Sequence, residues 1–122
     1  MKVILYIAKD HQEGQKLQSA VEKMIPKHLL VVFNMITALS QGLRGPLSDT
    51  VLVLCPSCKE DVRELVALRE LIQGVRTIMV LPDDERETVA IGHRFQPRFL
   101  TMSTPDFKDV SKVLGKMLHL RD

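Results

Sequence analysis

The chain has 122 residues, 45 % of them apolar and 26 % charged, with 17 Lys and Arg against 15 Asp and Glu for a net charge of +2. That length suits one domain with its own core, expected to span residues 1–122, and the composition is that of a globular protein. Four Phe, one Tyr and no Trp leave little to stack on nucleic-acid bases, and the charges alternate in sign instead of forming a basic block, so neither nucleic acid nor an anionic membrane is implied as a partner.

The first apolar run, residues 3–8 (VILYIA), stops at Lys9-Asp10, too short for a signal-peptide core with a cleavage site, and no later run has the length of a membrane span. A cytoplasmic protein with reduced cysteines is expected. Leu17, Ala20, Val21, Met24 and Ile25 then follow helical spacing, with Pro26 beyond the end. Residues 29–33 (LLVVF) read as a second strand and residues 35–43 as a helix with a narrow apolar stripe, closed by Gly42 and Gly45-Pro46. Residues 50–54 (TVLVL) form the third strand, and Val62, Leu65, Val66, Leu68 and Ile72 predict one helix that stops before Gly74. Residues 77–81 (TIMVL) are the fourth strand, residues 85–95 a weakly striped helix, and residues 99–102 (FLTM) the fifth strand. Ser103-Thr104-Pro105-Asp106 supplies cap residues for a last helix carrying Phe107, Val110, Val113, Leu114, Met117 and Leu118.

The strands are rich in Val, Ile and Leu without clean alternation, as in parallel strands covered on both faces. Five strand–helix alternations with short, right-handed crossovers predict a three-layer α/β fold: a doubly wound, five-stranded parallel sheet with the flavodoxin-like order 2-1-3-4-5. Such a sheet takes ligands beyond the carboxyl ends of strands 1 and 3. Those ends carry Ala8-Lys9-Asp10-His11 and Cys55-Pro56-Ser57-Cys58, joined by Pro82-Asp83-Asp84 from strand 4 and Ser103-Thr104 from strand 5.

Cys55 and Cys58 at the start of a helix fit thiol redox chemistry, since the helix N-terminus lowers the first thiol's pKa and the second thiol resolves a mixed disulfide. Pro97 resembles the proline that faces the cysteine pair in thioredoxin-like folds. The competing expectation makes Cys55 a small buried hydrophobe closing strand 3 and Cys58 a residue of the first helical turn. Two thiols fall short of the four ligands a zinc site needs, so no metal and no other cofactor is expected. Asp10-His11-Gln12-Glu13-Gly14 is similar to the Asp-x-His-x-x-Gly of cobalamin-binding domains, but Lys9 stands where the Asp belongs. The simpler reading is a solvated loop in which Asp10 or His11 caps the first helix.

Three segments carry a broader likeness: ALSQGLRGPLSDTVLVL (residues 38–54), DVRELVALRE (61–70) and TPDFKDVSKVLGKML (104–118). They resemble the second helix and the lead into strand 3, the third helix, and the Lys-Pro-Phe loop with final helix of the receiver domains of bacterial two-component response regulators. The resemblance implies a carboxylate phosphoacceptor ending strand 3, an acidic pair after strand 1 that holds Mg²⁺, a hydroxyl ending strand 4 and a Lys after strand 5. Here Leu54, or with a one-residue slip Cys55, stands at the acceptor position. Ile7 and Ala8, or Ala8 and Lys9, stand for the acidic pair, with Asp10 the only acid nearby. Pro82 replaces the hydroxyl, and Thr104 or Met102 replaces the Lys.

The resemblance thus implies a degenerate receiver: a non-enzymatic protein-interaction module in two-component-type signalling, not phosphorylated on Asp. In that family the face of helix 4, strand 5 and helix 5 makes dimer and partner contacts. This carries the expected interface, to a protein partner or a second copy, to Arg86, Glu87, Arg94, Arg98, Lys108, Asp109 and Lys112. The alternative function is a thioredoxin-like redox protein using Cys55 and Cys58.

Overall fold

Strand β1 (Lys2–Ile7) sets the architecture: five of its six residues are buried, and alternate ones go to opposite sides of the sheet. Val3, Leu5 and Ile7 join a cluster with Leu17 and Val21 of helix α1 (Gly14–Glu22) and Val110, Leu114 and Met117 of α5 (Lys108–Met117). Ile4 and Tyr6 join a second cluster with Leu39 of α2 (Ile36–Gly42), Val62 and Leu65 of α3 (Lys59–Val66) and Ile91 of α4 (Arg86–Arg94). A strand covered on both faces has no solvated positions, which is why its sequence is an apolar run and not an alternation.

The computed structural model describes residues 2–102 and 107–118. Strands β2 (Leu30–Phe33), β3 (Thr50–Cys55), β4 (Arg76–Leu81) and β5 (Phe99–Met102) complete a five-stranded sheet in the order β2-β1-β3-β4-β5. Every pairing is parallel, with Ile7 of β1 opposite Cys55 of β3 at the carboxyl ends. The expected doubly wound, flavodoxin-like α/β arrangement is therefore present. β3, central in the sheet, is buried throughout, while the edge strands β2 and β5 are partly exposed.

The third helix departs from expectation. α3 stops at Val66, and the chain tightens into a 3-10 turn over Arg69–Ile72, with Leu68 N–H bonded to Leu65 O at 3.0 Å and Leu71 N–H to Leu68 O at 2.9 Å. A continued α-helix, at about 3.6 residues per turn, would carry Leu71 to the side opposite Val62. The tighter winding keeps Leu68, Leu71 and Ile72 packed against the α2/α3/α4 cluster. Gly74, with φ +83, then makes the left-handed turn into β4.

At the start of α5, Phe107 also has left-handed backbone, φ 51, and is fully buried. That conformation costs a bulky residue about 1–3 kcal/mol, which burial of a phenyl side chain, worth about 1.5–3 kcal/mol, offsets.

Candidate functional site

The carboxyl ends of β1 and β3 are tied by a hydrogen bond from Ala8 N–H to Cys55 O, 3.1 Å. Asn34, just after β2, donates from Nδ2 to Ile7 O at 3.1 Å and fixes the third strand end beside them. Gly14 opens α1 against β1 because a Cβ there would collide with the Ile7 methyl group. His11 N–H donates to Ala8 O at 3.0 Å, and His11 Nδ1 accepts the Glu13 N–H at 3.1 Å. The imidazole is therefore neutral with its proton on Nε2. Partial burial lowers the His11 pKa, a trend that the Glu13 and Asp10 carboxylates oppose.

The chemically richest group lies one step away. Tyr6 donates its hydroxyl to Asp61 Oδ2 at 3.1 Å, and the same oxygen accepts the Ser57 N–H at 3.2 Å. Asp61 sits in the first turn of α3, whose N-cap is Cys58, and reaches back past the cap to hold the β3–α3 loop. Burial, then the nearby Asp61 charge, raises the Tyr6 pKa, so the phenol keeps its proton. The Ser57 hydroxyl is a long 3.5 Å from Asp61 Oδ2. Asp10, beside it in the exposed β1–α1 loop, has its pKa lowered, chiefly through the Ser57 side chain. Two open depressions of about 300 Å³ flank this group: one is lined by Tyr6, Met35, Asp61 and Glu64, the other by His11, Glu13, Ser57 and Pro82, and Asp10 borders both.

Both residues standing at the acceptor position are core. Leu54 is 1 % exposed and packs in the α2/α3/α4 cluster; Cys55 is 0 % exposed and packs on the opposite face with α1 and α5. Ala8 is buried at 4 %, Lys9 and Asp10 are exposed, and Pro82 is partly buried. Thr104 lies outside the described residues. Among the described residues, no three His, Cys, Asp or Glu side chains are grouped to hold a metal.

The two cysteines are free thiols in unlike surroundings. Burial pushes the Cys55 thiol up to about 12, and Cys58 is exposed. Cys58 caps α3 with extended backbone and is not in its first turn, because β3 runs one residue further than expected. The low-pKa thiol on which redox chemistry depends is absent at Cys55. The all-parallel sheet also contains no hairpin before α5 of the thioredoxin-like kind among the described residues.

On the other side, Arg86, Arg94, Arg98, Lys108, Asp109 and Lys112 are all exposed. Glu87 is also exposed, and its Oε2 pairs with Lys59 Nζ at 2.8 Å and Arg63 at 3.8 Å across α3 and α4. Met102 of β5 is 45 % exposed.

Tyr6, Asn34 and Asp61 are the site residues that the sequence reading passed over. A signal existed for one of them: the only tyrosine, inside an apolar strand, needs a partner for its hydroxyl. No family model, curated protein or solved structure matches the chain. No helix among the described residues is long and apolar enough to cross a membrane.

Proposed function

We propose that this chain is a receiver-like domain without receiver chemistry: a non-catalytic, cytoplasmic protein-interaction module of two-component-type signalling that is not phosphorylated on Asp. The carrying observation is the filled acceptor position. Leu54 and Cys55 are both core residues, and neither offers a carboxylate. Ala8, where the acidic pair would begin, is buried and apolar, so a hard cation has no oxygen ligand from it. Thiol chemistry has less support, because Cys55 is sealed in the core with its pKa pushed up.

The interaction surface is the α4–β5–α5 face. Met102 is exposed there, on the strand between the two helices that carry Arg86, Arg94, Lys108, Asp109 and Lys112. A solvent-facing methionine on the same face as exposed charges of both signs supplies adaptable apolar contact and charge-set specificity. Sedimentation velocity and partner capture with Arg94→Glu/Lys112→Glu test the assignment. Association is expected to weaken while the thermal midpoint holds. Unchanged association, with loss on substitution of Gln15 or Gln18 of α1, would move the interface elsewhere.

A further inference from the structure

We infer that the groove beside Met35, at the carboxyl end of β1 and β2, is a second docking surface, and that its occupant is a basic peptide segment of a protein partner, an Arg or Lys flanked by apolar residues. The inference rests on the reading of the chain as an interaction module. Met35 and Met102 are the large apolar side chains exposed among the described residues, Met35 at 58 %. Met35 stands at the N-cap of α2 with extended backbone and no capping side-chain bond, so its exposure serves no helix-starting role. With Ile36 and Ala8 it forms the apolar wall of a depression of about 300 Å³. A flexible methionine exposed on a groove can repack around an apolar partner residue.

The rest of the lining is rich in acidic side chains. Asp10, Asp61 and Glu64 face a single ammonium, Lys9, giving the groove a surplus of two negative charges in a chain whose net charge is +2. Local charge of the opposite sign to the whole selects a positive partner. Asp61 Oδ2 takes the donors from Tyr6 and Ser57, and Oδ1 takes none of these, so one carboxylate oxygen is left for a donor from outside. A bare metal ion fits less well, because Ala8, Met35 and Ile36 offer it no side-chain ligands. A guanidinium on an apolar stem matches both kinds of lining.

Fluorescence anisotropy with a labelled Leu-Arg-Leu-Arg-Leu peptide, against a Leu-Glu-Leu-Glu-Leu control, reads the groove. Saturable binding of the basic peptide alone is expected, weakened by added salt and weakened at least about tenfold by Met35→Ala or Glu64→Lys. Both positions are exposed, so an unchanged thermal midpoint certifies the fold of each variant. Arg94→Glu, which does not line the groove, should leave peptide affinity as it is. No binding of the basic peptide up to about 1 mM overturns the inference. Equal binding of both peptides, or affinity untouched by both groove substitutions, overturns it too. Self-association that Glu64→Lys abolishes, without peptide binding, would place a second copy there and overturn the peptide. A phosphoryl adduct on the chain would instead overturn the loss of receiver chemistry and leave the peptide result standing, so the two failures are distinguishable.

Discussion

On the α1/α5 face of the sheet, β1 and β3 end in Ile7 and Cys55, and both join a cluster built with Leu17, Val21, Phe107 and Leu114. On the α2/α3/α4 face the neighbouring residues are Tyr6 and Leu54, and there the row of side chains reaches Asp61 through the Tyr6 hydroxyl. Adjacent residues of the same strands thus serve two different ends. One layer is sealed by apolar contact, and the other couples the middle of the sheet to an acidic groove. Under the proposed receiver-like reading, the acceptor position falls where both layers are filled, so core packing and receiver chemistry would compete for Leu54 and Cys55.

Leu54→Asp tests that competition most severely. A carboxylate at a 1 %-exposed position, with no acidic pair and cation to organise it, should cost more than about 4 kcal/mol in chemical denaturation and leave much of the protein unfolded. A folded variant that accepts phosphate would show that the layer had room for the chemistry after all.

Alkali should attack the sealed layer next. The folded Cys55 pKa is raised above its ordinary value, so its contribution is fully present below pH 9.0 and is lost as pH rises toward about 12. That window corresponds to about 4 kcal/mol for a shift of this size. Denaturation followed between pH 9 and 12 should show the loss, and Cys55→Ala should flatten it. Tyr6 acts in the same direction: its raised pKa makes its contribution present below pH 10.0 and lost at higher pH. An alkaline profile unaffected by Cys55→Ala would mean that the thiol is not sealed.

A smaller effect is expected for Tyr6→Phe, which removes one hydrogen bond to a carboxylate and leaves the ring in place. The cost is about 1.5–3 kcal/mol, with hydrogen exchange faster in the β3–α3 loop that Asp61 also holds. No change in stability or loop exchange would show that the Tyr6 layer is not coupled to the groove. Smallest of all is Glu87→Gln. Its pairs with Lys59 and Arg63 are solvent-exposed, and the thermal midpoint should stay within measurement scatter at physiological salt. A clear drop would make the α3–α4 seam a structural joint.

Much of the fold was legible because parallel strands buried on both faces announce themselves as apolar runs: β1, β3 and β4 differ from the expected spans by a residue at one or both ends. The break after Val66 was not, because the apolar residues from Val62 to Ile72 satisfy a helical spacing even though Leu71 does not fit the same face. At the site, Cys55 and Pro82 could be placed by counting along the chain, since one ends β3 and the other follows β4, and Leu54 is one residue before the end of β3. The Tyr6–Asp61 bond could not: its partners are 55 residues apart, and only strand order and helix rotation bring them together. The pairing of Glu87 with Lys59 and Arg63 was not legible for the same reason, because which side of α4 a charge takes depends on how the helix rolls against α3.

The proposed loss of receiver chemistry rests on Leu54 and Cys55 both lying in the core. Incubation with acetyl phosphate and Mg²⁺, followed by intact mass, tests it most directly. The account predicts an unchanged mass at every time point. An added phosphoryl group that hydroxylamine releases would contradict it, since it would reveal an aspartyl phosphate that Leu54 and Cys55 cannot form.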